Sequence, residues 1–150
     1  MAKFKFNLEV VLKHRQMIED DRQRELAAQL RKRMILMDQL RQMQSTIRDS
    51  KQRLGDGLVG QVDLSRISQF SHYNGQVTIR AQQIVHTLAV VERDVEVART
   101  RLLQASQQRK ALELLRDKRL ALWKRQQDRR EAIELDEIAV QRYARDIAMG

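Results

Sequence analysis

Residues 67–112, ISQFSHYNGQ VTIRAQQIVH TLAVVERDVE VARTRLLQAS QQRKAL, decide the fold. Steps alternating between three and four residues from Ile67 pass through Phe70, Asn74, Val77, Ala81, Ile84, Leu88, Val91, Val95, Ala98, Leu102, Ala105, Arg109 and Leu112. Of these positions only Asn74 and Arg109 are polar. A seam kept over more than six heptads exceeds what a single amphipathic helix needs, and it predicts a left-handed coiled coil.

Upstream, Leu26, Leu30, Met37, Leu40, Ile47 and Leu54 keep a looser seam that Arg33, Gln44 and Lys51 interrupt. Leu8, Val11 and Ile18 sit one residue out of that register, so a stutter is expected near Arg22 to Leu30. Between the two seams lie Gly55, Gly57 and Gly60, where periodicity lapses and the backbone is freest. Asp63 or Ser65 can cap a following helix. The expected fold is therefore all-α: one antiparallel two-helix coiled-coil hairpin over residues 1–150, with helix one at about 6–54, a turn at about 55–62 and helix two at about 64–147.

A turn centred on those glycines pairs residues whose numbers add to about 117, which sets the chain start beside Leu112, where the strict seam ends. The continuation, Arg116, Arg119, Trp123, Gln126, Arg130, Ile133 and Glu137, is mixed. Residues 113 to 147 are thus expected to protrude as a helix roughly 50 Å long. Helices are stabilised mainly by packing, so this one, with Leu120, Leu122, Trp123, Ile133, Leu135, Ile138 and Tyr143, implies a partner's groove or ring, fraying, or self-association. Trp123 reads either as an interface anchor or as a wedge between the helix ends.

Composition agrees with long helices and excludes most chemistry. The chain holds 6 aromatic residues among 150, no Pro and no Cys. Without Cys there is neither a disulfide framework nor a thiolate metal site, which fits a reducing compartment, read as the cytoplasm. Phe4, Phe6 and Leu8 alternate with Lys5, Asn7 and Glu9, unlike a secretory signal, and the longest apolar runs, Met34 to Met37 among them, are far below the roughly 20 residues of a membrane span. His14, His72 and His86 have no four-residue spacing and no convergent acids, so no metal or cofactor is expected. Gly55-Asp56-Gly57 lacks the Lys-Ser/Thr ending of a phosphate loop. A two-helix hairpin encloses no pocket for a small-molecule substrate, so no enzyme is expected.

The net charge of +9 invites a nucleic-acid or scaffold reading, but acids dilute it. Arg116, Lys118, Arg119, Lys124, Arg125, Arg129 and Arg130 are followed at once by Glu131, Glu134, Asp136 and Glu137. Tracking a phosphate backbone favours one sign, whereas a basic-then-acidic order suits a protein surface of complementary charge.

Two stretches resemble the FliJ family of the flagellar type III export apparatus. They are Lys3-Phe4-Lys5-Phe6-Asn7-Leu8-Glu9-Val10-Val11-Leu12-Lys13-His14-Arg15 with Arg24-Glu25-Leu26-Ala27, and Leu120-Ala121-Leu122-Trp123-Lys124-Arg125-Gln126-Gln127-Asp128-Arg129-Arg130-Glu131 with Glu134-Leu135-Asp136-Glu137-Ile138-Ala139. The resemblance implies a non-enzymatic coiled-coil stalk of flagellum biogenesis, cytoplasmic and peripheral to the inner membrane. Its terminal end would dock into the ring of the export ATPase and promote ring assembly and turnover, and its midsection would meet the export gate and substrate chaperones. Carried over by position, the ring-facing residues are Phe4, Phe6, Leu8, Arg15, Trp123, Arg125, Asp128, Arg129, Glu134, Asp136 and Glu137. The gate-facing ones are Phe70, Tyr73 and Val77. The equivalent stalk of a virulence-type secretion system shares the mechanism.

Overall fold

Nothing in the chain stops a helix for long stretches, and two helices form. The computed structural model describes residues 2–60 and 63–150. In it α1 spans Glu9–Gly57 and α2 spans Leu64–Met149. Among the described residues there is no strand. The class is all-α, with α1 and α2 packed against each other.

The helix ends follow local chemistry. The Asp63 carboxylate accepts the Ser65 backbone amide at 2.9 Å, so Asp63 is the cap and α2 begins at Leu64. Before α1, the Glu9 amide bonds the Phe6 carbonyl at 3.2 Å, and Glu9 brings a favourable negative charge to the first turn. Gly55 and Gly57, expected in the turn, instead lie in the last turn of α1. Each costs about 0.5–1 kcal/mol there relative to Ala, which the continuing seam at Leu54 offsets. Among the described residues only Gly60 adopts a positive φ, 112°, where a side chain would be strained. Gln61 and Val62, the end of the expected turn, lie outside the described residues.

The chain divides into two compact units. Asp20–Gln104 forms one, an antiparallel helical pair in which Arg33 Nε meets the Glu92 carboxylate at 2.9 Å. Its core is the predicted seam of α2: Val77, Val91, Val95 and Ala98 are buried, and the seam residues between them are half-buried. Opposite them α1 presents Leu26, Gln29, Arg33, Leu36, Leu40, Met43, Ile47, Ser50 and Leu54, with Leu30 half-buried beside Gln29. Leu36, Met43 and Ser50 hold positions that the apolar pattern had given to Met37, Gln44 and Lys51, which are exposed. Among the described residues one buried side-chain polar atom, Gln29 Oε1, has no partner.

The other unit joins the start of the chain to Ala105–Gly150. Here the chain turns Leu8, just before α1, and Leu12, Arg15 and Glu19 of α1 inward, in the same alternation of four and three that continues at Arg22 and Leu26. The expected stutter near Arg22 to Leu30 is absent. Arg15, Glu19 and Arg22 occupy seam positions; the apolar pattern follows Val11, which is exposed, where Leu12 is the buried residue, at 1% exposure, and Ile18 is half-buried beside Glu19.

The expected pairing is also corrected. A turn centred on the glycines put Glu9 opposite Gln108, whereas Glu9 faces Arg116 at 3.5 Å and Arg15 bonds Gln108 at 2.6 Å. The register lies about one heptad further along α2. Pairing therefore continues past Leu112 to Trp123, and the stretch exposed at every residue begins at Asp128, not at residue 113.

Candidate functional site

The aromatic start of the chain and the middle of α2 build one end of the terminal unit. Phe4 lies against Trp123 with ring centroids 6.0 Å apart and planes tilted by 56°, within the favourable range for aromatic pairs. Phe6 is buried, and the Arg119 guanidinium sits 5.6 Å from its ring centroid. Arg119 also donates to the Asn7 side chain. Phe4, Lys5, Phe6, Glu9 and Arg116 line a shallow groove of about 360 Å³. Trp123 is half-buried, and its indole packs on Phe4 of the segment that precedes α1.

This contact is observable in solution. Trp123 is the sole tryptophan, so Phe4→Ala is expected to shift its emission to the red while helical circular dichroism stays constant. An unchanged emission maximum would show that Phe4 does not cover the indole.

Below the aromatic end lies a polar layer inside the seam. Glu19 is buried, accepts hydrogen bonds from Ser106 Oγ at 3.1 Å and from Arg109 Nε, and leaves Arg109 Nη1 to bond Glu113 at 2.7 Å. Hydrogen bonds to Glu19 and then Glu113 raise the Arg109 pKa above its ordinary value, so the guanidinium stays charged at every accessible pH. From the sequence Arg109 reads as a polar break in the seam, and Glu19 lies outside the apolar pattern. Both lie at seam positions, which is the signal that identifies the pair.

Beyond this end α2 continues without cover. Asp128, Arg129, Glu134, Asp136 and Glu137 are exposed, as is Arg125 before them. So are Ile133, Leu135, Ile138, Val140, Tyr143 and Ile147, the last four between 48% and 69%. Ile133, Asp136, Glu137, Val140 and Gln141 line a groove of about 390 Å³ on this bare helix. Of the residues assigned to ring contact, then, Phe4, Phe6, Leu8, Arg15 and Trp123 engage or flank the helix pair, and the six from Arg125 onward are free on the surface.

In the other unit, Tyr73 and Val77 meet Gln39, Gln42, Met43 and Thr46 of α1 around a groove of about 380 Å³. Tyr73 is exposed, Phe70 half-buried and Val77 buried, so Val77 supports the groove from below. The α1 residues of this groove were not singled out from sequence, because they fall outside the apolar pattern. A larger groove of about 530 Å³ runs along Leu30, Arg33, Met34, Met37, Asp38 and Arg41. Among the described residues no cluster of His, Asp and Glu is placed to hold a metal ion. None of their helices is long and apolar enough to cross a membrane.

No curated protein and no solved structure matches the chain. A family model does, over residues 4–147, under the description Flagellar FliJ protein. The match takes in both terminal stretches and the coiled coil between them, and the chain belongs to the FliJ family, a family of flagellar export proteins.

Proposed function

We propose that the chain is a non-enzymatic stalk that docks its terminal end into the ring of the flagellar export ATPase, promotes ring assembly and turnover, and reaches the export gate and substrate chaperones with its midsection. The observation that carries this reading is the bare end of α2, where Asp128 to Met149 form helix yet stay exposed at every residue. A helix of this length is marginal alone in water, and its large apolar residues occupy two sides: Ile133, Val140, Tyr143 and Ile147 share one face, and Leu135 and Ile138 lie on the opposite one. A ring that surrounds the helix covers both faces, whereas a flat partner covers only the face of Ile133, Val140 and Ile147.

Charge supports the same partner. Arg125, Arg129 and Arg130 are followed along the helix by Glu134, Asp136 and Glu137, so a ring lining of alternating sign fixes both depth and rotation. Tyr73 and its groove, with an adaptable Met43, are suited to a second protein contact, assigned here to the gate or a chaperone.

Steady-state hydrolysis by the purified export ATPase tests the reading. Adding the full chain is expected to raise the rate severalfold at enzyme concentrations where ring assembly is incomplete, since anything that binds the assembled state shifts the equilibrium towards it. Hydrolysis and assembly indifferent to the chain would refute the proposal.

A further inference from the structure

We propose that the buried Glu19 and Arg109 pair pins the register of α1 on α2 in the terminal unit and so positions the aromatic end. The second half of this statement rests on the docking reading above.

A heptad seam specifies which face of a helix is buried but tolerates axial shifts of seven residues, about 10 Å. This chain has a plausible competitor one heptad away. Gly55, Gly57 and Gly60 favour a turn nearer the chain start, and Gly55 and Gly57 are held in helix against their propensity. Apolar contacts alone would accept that alternative, since Leu102, Ala105 and Leu112 recur at the required spacing.

Polar contacts do not accept it. In the observed register Glu19 bonds Ser106 and Arg109, Arg15 bonds Gln108, and Asn7 bonds Arg119. A shift of one heptad would place Glu19 opposite Leu102, Arg109 opposite Leu12, and Arg15 opposite Arg101. The place of Ser106 would pass to Arg99, which already holds Glu96 at 3.1 Å. Glu19 would thus lose both present donors, and Arg109 would press on the most buried leucine of the chain. Removing one partner from a buried ion pair is far more costly than replacing both by apolar groups, so the pair acts on specificity more than on stability. Phe4 reaches Trp123 only in the pinned register; shifted, it would lie against Arg116.

The natural chain has no cysteine, which makes the register directly readable by paired thiols. Two versions of the full chain are compared, Arg15→Cys with Gln108→Cys for the observed register, and Arg15→Cys with Arg101→Cys for the shifted one. With Glu19 and Arg109 in place, a short thiol cross-linker should close the first pair and not the second. With Glu19→Leu and Arg109→Leu added, the second product should rise by about tenfold while helicity is retained, as expected where a polar layer selects among apolar registers. Exclusive 15–108 cross-linking at unchanged yield would overturn the pin.

If the double leucine variant does not fold, Glu19→Arg alone and Glu19→Arg with Arg109→Glu carry the same test. The first should lose most of the 15–108 product and the second should restore it. Native product alone in both overturns the proposal. ATPase stimulation by the double leucine variant is measured alongside. Shifted cross-links with undiminished stimulation would uphold the pin and refute docking through the aromatic end.

Discussion

A chain ending at Gln127 is expected to bind the export ATPase at least about tenfold more weakly than the full chain and to lose most of its stimulation, because exposed aromatic and aliphatic anchors dominate interface energies. Asp128 to Gly150 carry Ile133, Leu135, Ile138, Val140, Tyr143 and Ile147, all of them exposed. Such a surface marks a protein contact more often than it marks a stable free helix. Truncation there should spare the rest of the molecule. Every residue removed is exposed, and the packing at Phe4, Phe6, Arg119 and Trp123 lies wholly on the near side of the cut. Helical circular dichroism should fall in proportion to the residues removed, and the midpoint of thermal unfolding should move little. Unaltered binding by the truncated chain would place the contact elsewhere, whereas collapse of the remaining helix would show that the tail packs internally.

The seam of α2 was legible because apolar residues fill it almost without exception: none of the fourteen positions from Ile67 to Leu112 is exposed. The seam of α1 was only partly legible. Counting apolar residues misplaces it wherever a polar residue belongs inside, as Arg15, Glu19 and Arg22 do, and it credits the exposed Val11 in place of Leu12. Register was not legible in either helix alone. It depends on which polar side chains meet, Glu9 with Arg116 and Arg33 with Glu92, and those pairs are defined only when both helices are placed. The glycine cluster misled for a related reason. A poor helix former marks where a helix can end, whereas the end itself is set by where the seam ceases to be buried. Of the candidate site, the exposed stretch was legible as a loss of seam, and its start moved from residue 113 to Asp128 only because the register moved.

Leu12→Ala is expected to destabilise the chain by about 3 kcal/mol, within the range for removing a leucine from a closed core. The neighbouring Val11→Ala should change it by under about 0.5 kcal/mol, as exposed substitutions do. Leu12 is 1% exposed and Val11 is 40% exposed, although the two differ by one residue and both are apolar. The contrast follows from geometry. One residue turns a helix by about a quarter revolution, so Leu12 falls on the seam with Leu8 and Arg15 while Val11 turns outward. Leu12 also stands between the aromatic end and the polar layer at Glu19, so a cavity there has little apolar material nearby to fill it. Denaturant unfolding followed by circular dichroism measures both changes, and Trp123 emission reports whether the end loosens first. Equal losses from the two substitutions would mean that α1 is rotated towards the register its apolar residues favour, with Val11 inside. A large loss confined to Leu12 would fix the polar seam positions as true core positions, and with them the pairing of Glu19 and Arg109 on which the alignment of the terminal unit depends.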